Sequence, residues 1–210
     1  MILAVLSLTV YRYRSYPFYG VREYPRLQHL VNNYMTLVNE LPPFDPDKVS
    51  KTDIRSVAGG WTNPDNIELL QSLEHNVRWV RGDGVPGWYN FALIYMGKTN
   101  ESAKKQMPRT MQLLEAIPSI KVAGLAILMP HTTLGWHMDV TGKSSQSMAV
   151  NIGLCSPHST LYLQGGNGIT YTKQQKNGEA IVFDSNLEHK VVNFSDKPRI
   201  ILYIDFSDEI

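Results

Sequence analysis

Four residues in the C-terminal half of the chain have the types and order of a metal-dependent oxidation site. His137 and Asp139 are two residues apart, His189 follows fifty residues after Asp139, and Arg199 comes ten residues after His189. Two imidazoles and one carboxylate on one face of an iron ion form the facial triad of non-haem Fe(II) oxygenases, which leaves the other coordination positions open. The pattern therefore predicts His137, Asp139 and His189 as metal ligands and catalytic residues.

Arg199 adds a cation beyond the second histidine of this pattern. A guanidinium group pairs with a carboxylate through two parallel hydrogen bonds, so it suits the far end of a dicarboxylic co-substrate. We expect Arg199 to bind 2-oxoglutarate in this way and to count as both a catalytic and a co-substrate-binding residue. The expected cofactors are Fe(II), 2-oxoglutarate and O2.

Strand geometry explains the spacing of the predicted ligands. Side chains two positions apart on a strand point to the same face, which suits His137 and Asp139 on a strand predicted over 136–141. His189 follows a predicted strand over 179–184, and Arg199 opens another over 199–207. Two adjacent strands of one barrel are expected to bring His189 and Arg199 to the same interior.

The elements predicted around these residues change from helical to extended along the chain. Apolar spacing predicts helices over 25–40, 64–80 and 101–116, loops over 44–64 and a strand over 88–96. Short strands separated by turn residues then follow over 121–130, 136–141, 147–154, 160–164, 168–172, 179–184, 190–194 and 199–207. The expected fold is mainly β with N-terminal helices (α+β), around a double-stranded β-helix, the cupin-like jelly roll.

Length and composition limit the organisation and the partners. The 210 residues suit a single domain over 1–210, with a helix-rich support region over 1–119 and a jelly-roll catalytic core over 120–210. A hydrophobic content of 43% argues against disorder, and a net charge of +1 lacks the basic excess of a nucleic-acid binder. We therefore expect no nucleic-acid partner. The oligomeric state stays open.

The location of the protein is predicted from its cysteine content and its N-terminus. The single cysteine, Cys155, excludes an intramolecular disulfide and is compatible with a cytoplasmic location. Residues 1–10 are apolar but too short to cross a bilayer, which needs about 20 residues. They are predicted as a strand, with a weak membrane anchor as the alternative.

Motifs along the second part of the chain carry a family resemblance. Those motifs are Trp88-Tyr-Asn-Phe91-Ala-Leu93, Pro108, Thr110, Leu113-Leu114-Glu115, Pro118, Met129-Pro130, His137, Gly153-Leu154, Gly178-Glu-Ala-Ile-Val-Phe183-Asp184-Ser-Asn-Leu-Glu188-His189, Asn193, Ser195-Asp196, Arg199 and Asp205. Over about residues 85–207 the chain resembles the aspartyl/asparaginyl β-hydroxylase family of Fe(II)/2-oxoglutarate-dependent dioxygenases. The resemblance implies a jelly roll, His137 and His189 as iron ligands, and Arg199 on the distal carboxylate. It also implies hydroxylation of an unactivated carbon, with succinate and CO2 as co-products.

The chain departs from that family pattern at three places. Asp139 stands where the animal peptidyl hydroxylases have glycine, and resembles the bacterial lipid A hydroxylase branch and the small amino-acid hydroxylases. Ala149 and Asn151 stand where the family usually has Arg-x-His, so Asn151 is expected to donate one hydrogen bond to the co-substrate. Ala126 replaces a hydroxyl residue that assists the arginine.

Several substrates and one different function are compatible with these residues. The substrate is expected to be an amino acid or other small molecule, a peptidyl Asp or Asn, or a lipid acyl chain. The alternative is a metal-binding jelly-roll protein without oxygenase activity. His131, Trp88 and Trp136 are candidate substrate contacts, with an exposed loop position for His131 and packing roles for both tryptophans as the alternatives. Asp184 and Glu188 are candidates for orienting the imidazoles, and residues 143–146 for a loop that closes over substrate.

Overall fold

A computed structural model describes residues 16–49, 79–82, 85–139, 147–166 and 168–207. The strand predicted over 1–10, nearly all of the helix predicted over 64–80 and the loop at 143–146 lie outside these ranges. Within the described part of the chain, no helix is long and apolar enough to cross a membrane.

Short helices and strands make up the described N-terminal part. They are β1 (Phe18–Tyr19), α1 (Pro25–Asn32), α2 (Tyr34–Asn39), β2 (Val80–Arg81), β3 (Trp88–Tyr95), β4 (Lys98–Thr99), α3 (Glu101–Gln106) and α4 (Pro108–Glu115), with 3-10 turns at Val21–Glu23 and Pro46–Lys48. Two predicted helices are each divided in two, at Asn33 and at Met107. The second break has a clear cause, because proline disfavours a helical conformation at the residue before it and suits the first turn of a new helix.

The C-terminal part contains the eight strands of the predicted jelly roll. They are β5 (Ile120–Leu128), β6 (Thr133–His137), β7 (Ser147–Cys155), β8 (Ser159–Gln164), β9 (Thr170–Gln175), β10 (Ala180–Asp184), β11 (His189–Asn193) and β12 (Arg199–Ser207). The larger sheet has the order β1-β10-β7-β12-β5-β3-β2, with β4 beside β3, and the smaller has the order β6-β11-β8-β9. From β5 to β12 successive strands change sheet, except at the β8–β9 hairpin of the smaller sheet, and all pair antiparallel, which confirms the double-stranded β-helix.

One hairpin extends the larger sheet with residues from the helix-rich region. β3 pairs with β5 on one side and with β4 on the other. The connection of β3 to β4 is Met96-Gly97, with φ angles of 49° and 73°. Positive φ at both central residues is typical of the tight turns that match the twist of a β-hairpin. Trp88 and Asn90 consequently lie beside the jelly roll, in register with Leu128 and Ala126.

Alternate side chains of the larger sheet enter two separate apolar clusters. Leu202, Ile204 and Phe206 of β12 pack under the helices, with Met107, Met111 and Leu114. Tyr203 instead packs between the sheets, in a cluster with Leu161, Leu163, Phe183 and Val191. The face of β12 that carries Arg199, Ile201, Tyr203 and Asp205 therefore lines the interior of the jelly roll.

Candidate metal centre and co-substrate site

A β-bulge places the first histidine. β6 covers 133–137 rather than the predicted 136–141, so Asp139 lies beyond the strand instead of within it. His137 pairs with His189 but Leu134 pairs with Val191, which leaves one extra residue in β6. The bulge turns both Leu134 and His137 toward the interior, although they are three positions apart. The predicted placement of His137 and Asp139 on one face of a strand is therefore wrong, because Asp139 follows the end of β6.

The structure brings the three predicted ligands together. The Nε2 atoms of His137 and His189 lie 3.6 and 3.3 Å from the two carboxylate oxygens of Asp139. The three candidate ligand atoms lie within 4.8 Å of one another. The Asp139 backbone N–H donates to the Ser185 carbonyl at 3.2 Å, which holds the carboxylate in place beyond the strand. This is the geometry of a two-histidine, one-carboxylate metal centre.

Backbone carbonyls fix both imidazole rings. Nδ1 of His137 lies 2.7 Å from the Gly135 carbonyl, and Nδ1 of His189 lies 2.9 Å from the Leu187 carbonyl. Each Nδ1 therefore donates, and each Nε2 keeps its lone pair for a metal. The predicted role of Asp184 and Glu188 is wrong, because Asp184 accepts hydrogen bonds from Asn186 and the Glu188 side chain is exposed.

The electrostatics of the triad favour an ionised carboxylate. Burial by itself raises the pKa of Asp139, but His189, His137 and a hydrogen bond from Tyr203 together lower it below its ordinary value. Burial and the neighbouring His189 lower the pKa of His137. Burial acts against the charged form of His189 too, yet the Asp139 carboxylate raises the pKa of that imidazole overall. At neutral pH the site holds an anionic oxygen ligand and a neutral His137.

Tyr203 is a member of the site that the sequence did not indicate. Its hydroxyl donates to Oδ2 of Asp139 at 3.1 Å from the opposite sheet. Burial, then Asp139 and Asp205, raise the pKa of the Tyr203 phenol well above 10, so the hydroxyl keeps its proton. A tyrosine inside an apolar strand ordinarily indicates packing, and no local motif distinguishes this one.

Replacing Tyr203 by Phe is expected to weaken metal binding about tenfold, because hydrogen bonds to metal ligands typically contribute 10–100-fold to affinity. Competition with a chelator measures the metal Kd of both proteins. Tyr162→Phe is the matched control, since Tyr162 is stacked under Lys190 away from the triad. Equal Kd values for Tyr203→Phe and the unmodified protein would contradict an orienting role.

Arg199 is buried on the interior face of the larger sheet. Its side chain is 4% exposed, and among the described residues Nε and Nη2 have no hydrogen-bond partner. Burial lowers the pKa of Arg199 to about 9, which still leaves a cation at neutral pH. A buried charge without a counter-ion is costly, so the arrangement fits an anionic ligand that enters the interior.

The strands of His189 and Arg199 are not adjacent, which corrects the expected arrangement. β11 belongs to the smaller sheet, between β6 and β8, whereas β12 belongs to the larger sheet, between β7 and β5. The two side chains share the interior because the sheets face each other. A ligand that reaches both Arg199 and the triad therefore spans the gap between the sheets.

Two further predicted residues also line this interior. Asn151 pairs with Tyr203 and Ile181, and its buried Oδ1 has no partner within the described ranges. Trp88 pairs with Leu128, which in turn pairs with Arg199, so the three occupy one row across three strands. The indole of Trp88 is half-buried and packs on the interior cluster.

The other two predicted contacts are not brought to the triad. Trp136 is 44% exposed and its ring lies 5.1 Å from the Lys190 ammonium, on the outer face of the smaller sheet. His131 sits in the turn between β5 and β6 with a φ of 55°, and its Nε2 lies 2.8 Å from the exposed Asp196 carboxylate. His131 thus has the exposed loop position that was its alternative, whereas Trp136 lies on the outer surface.

Two known proteins are similar to this chain in sequence. The chain is 28% identical over 142 residues to the ornithine lipid ester-linked acyl 2-hydroxylase of Rhizobium tropici, covering 67% of this chain and 48% of that protein. It is 26% identical over 172 residues to human aspartyl/asparaginyl beta-hydroxylase, covering 69% of this chain and 22% of that protein. The chain thus spans about half the length of one relative and about a fifth of the other.

A solved structure and a family model complete the comparison. An oxidoreductase of the 2OG-Fe(II) oxygenase family from Burkholderia pseudomallei aligns with a TM-score of 0.46 and 12% identity, covering 76% of this chain and 92% of that chain. The sequence model described as Aspartyl/Asparaginyl beta-hydroxylase matches residues 48–209. With a match over most of its length, the chain belongs to the aspartyl/asparaginyl beta-hydroxylase family.

Proposed function

We propose that the protein is an Fe(II)- and 2-oxoglutarate-dependent hydroxylase. The observation that carries the proposal is a His-Asp-His group that shares the interior with a buried arginine on the facing sheet, whose Nε and Nη2 have no partner among the described residues. The triad alone is compatible with a metal-binding jelly roll that lacks oxygenase activity. Arg199 distinguishes the two functions, because a metal-binding module has no use for a buried cation that faces its metal.

Different residues would bind the metal and the co-substrate in such a reaction. His137, Asp139 and His189 would hold the iron, and Arg199 would hold the distal carboxylate of 2-oxoglutarate. Iron bound there supplies the activation of O2, which converts 2-oxoglutarate to succinate and CO2 and inserts one oxygen atom into a substrate C–H bond. The protein's tasks are to fix the ligands, orient the co-substrate and exclude wasteful turnover.

The orientation of the co-substrate follows from the two sheets. The triad is on the smaller sheet and Arg199 on the larger, so the keto-acid end would face the metal while the distal carboxylate crosses to Arg199. The Tyr203 hydroxyl already donates to Asp139. This supports a role for Tyr203 in orienting the Asp139 carboxylate rather than in binding substrate. Asn151, beside Tyr203, keeps its proposed role as a polar contact for the co-substrate.

The substrate is proposed to be an amino acid, a peptidyl Asp or Asn, or a related molecule that carries an unactivated carbon. A lipid acyl chain is the second candidate, because apolar side chains are exposed beside the triad and on the smaller sheet that carries its histidines. Met138 lies between two of the ligands and is 50% exposed, and Ile169, just before β9 of that sheet, is 53% exposed. Leu163 pairs with His189 on one side and with Tyr171 on the other. The ring of Tyr171 makes an edge-on contact with the ring of Tyr16. The name of the Rhizobium relative, an acyl hydroxylase, fits this second candidate.

Succinate release tests the activity and separates the substrate classes. The protein is loaded with Fe(II) and 2-oxoglutarate, exposed to O2, and assayed with free amino acids, Asp- and Asn-containing peptides, and acyl lipids. Succinate that rises with one panel member, together with substrate mass increased by one oxygen atom, is the expected result. The same assay on His189→Ala protein is the control. Metal binding without any 2-oxoglutarate binding would overturn the proposal in favour of a metal-binding module.

A further inference from the structure

We propose that Asn90 donates a second hydrogen bond to the co-substrate carboxylate that Arg199 binds. The inference rests on the proposed function, since it assumes that 2-oxoglutarate enters the interior. It assigns a binding role to a residue of β3, a strand outside the eight-stranded jelly roll.

Strand register places Asn90 on the interior wall close to Arg199. Asn90 pairs with Ala126 of β5, and Ala126 pairs with Ile201 of β12. Ile201 is two residues from Arg199, so both point to the interior face of β12. Two strand spacings and a two-residue offset give a Cα separation of roughly 12 Å between Asn90 and Arg199. A long arginine and a shorter amide can converge on one carboxylate across that distance.

Within the described part of the chain, the amide of Asn90 is a donor without an acceptor. Asn90 is 4% exposed, and its Nδ2 has no hydrogen-bond partner among the residues that the structure describes. Leaving a buried donor unsatisfied costs about as much as a lost hydrogen bond, so a functional role offers a physical reason to keep it. Arg199 presents unpartnered N–H groups on the same wall. The oxygens of one carboxylate carry enough lone pairs to accept from both residues.

Among the described residues, the two that pair with Asn90, Val80 and Ala126, carry no side-chain acceptor that would compete for its amide. Ala126, which lies between Asn90 and Ile201, has a small side chain and is only half-buried. The indole of Trp88 donates and does not accept. The free Oδ1 of Asn151 is three strands away, about 14 Å by strand spacing, which is beyond reach of the Asn90 amide.

Binding of two keto acids to the Fe(II) protein tests this role without any turnover. The titrations are done anaerobically and followed by the visible metal-to-ligand charge-transfer band, with 2-oxoglutarate and with pyruvate, which lacks the distal carboxylate. Asn90→Ala is expected to raise the 2-oxoglutarate Kd about tenfold, as expected for a lost hydrogen bond to a charged group, and to leave the pyruvate Kd unchanged. Equal weakening of both ligands, or no change for either, would overturn the inference.

A conservative variant and a control sharpen the comparison. Asn90→Gln is expected to keep more of the 2-oxoglutarate affinity than Asn90→Ala, because it retains an amide donor at the same position. Ser159→Ala is the matched control, since Ser159 also has a buried oxygen without a partner in the described structure but lies on the smaller sheet. It should bind both ligands normally. If Asn90→Ala fails to fold, Asn90→Leu, which is close to Asn in size and has no donor, takes its place in the same comparison.

The titrations also distinguish the failure of this inference from failure of the proposed function. If the unmodified protein binds Fe(II) but shows no charge-transfer band with 2-oxoglutarate, the proposed function itself is contradicted. If the unmodified protein and Asn90→Ala bind 2-oxoglutarate equally tightly, only the role of Asn90 is contradicted.

Discussion

Replacing His189 by Ala is expected to abolish tight Fe(II) binding and all 2-oxoglutarate turnover. His189 is almost fully buried between Asp139 and Phe183, and its Nε2 lies 3.3 Å from the Asp139 carboxylate. Its loss removes one of three ligands and leaves the anionic Asp139 with fewer partners. A chelator competition assay measures the metal Kd, and succinate release measures turnover. We expect loss of at least 100-fold in metal affinity, in line with the strong dependence of such sites on each ligand.

His131→Ala is the matched control for the loss of an imidazole. That ring is exposed and paired with the exposed Asp196, so its removal should leave metal affinity and turnover unchanged. Full activity in His189→Ala protein, or a comparable loss in His131→Ala protein, would contradict the assignment of the metal ligands.

Replacing Arg199 by Met is expected to separate co-substrate binding from metal binding. The guanidinium is proposed to make charge-assisted hydrogen bonds to the distal carboxylate, each contributing about 1.5–3 kcal/mol. The 2-oxoglutarate Kd should therefore rise about 100-fold, measured by the charge-transfer band of the anaerobic Fe(II) complex. The metal Kd should stay within about twofold, because Arg199 is on the sheet that faces the triad. A lost metal site with unchanged 2-oxoglutarate binding would contradict this role.

The same variant is expected to stabilise the protein in the absence of ligands. Arg199 is buried with Nε and Nη2 unpartnered in the described structure, and an apolar side chain of similar length removes that cost. An increase of about 1 kcal/mol in the free energy of unfolding would raise the Tm by about 2–4 °C in a chain of this size. The same concentration of 2-oxoglutarate should raise the Tm of the unmodified protein more than that of the variant, because the variant binds it more weakly. A ligand-free Tm that falls sharply would show that Arg199 is required for packing instead.

Local patterns in the sequence were sufficient to predict the fold and the triad. The short strands, each with apolar residues and bounded by turns, predicted the jelly roll, because strand period and turn chemistry are local properties. His137, Asp139 and His189 stood out because their residue types and order already match one kind of metal centre. Arg199 was a candidate because it is a cationic residue ten positions after His189.

Features that depend on register were not predictable from the sequence. The bulge that turns His137 inward appears only when β6 is paired with β11. Tyr203 lies 64 residues from Asp139, and only the stacking of the two sheets brings their side chains together. Asn90 and Ala126 are neighbours because β3 pairs with β5 in the larger sheet, and the short sequence around Asn90 does not indicate which strand β3 pairs with. The placement of Trp136 outside the site also follows from the bulge.

Anaerobic titration of the Fe(II)-loaded protein with 2-oxoglutarate tests the central claim most directly. The claim is that the triad and Arg199 bind one metal ion and one co-substrate molecule together. The predicted result is a visible charge-transfer band that saturates at one 2-oxoglutarate per protein and requires both Fe(II) and an intact His189. Stoichiometric Fe(II) binding with no band and no change on adding 2-oxoglutarate would contradict the claim.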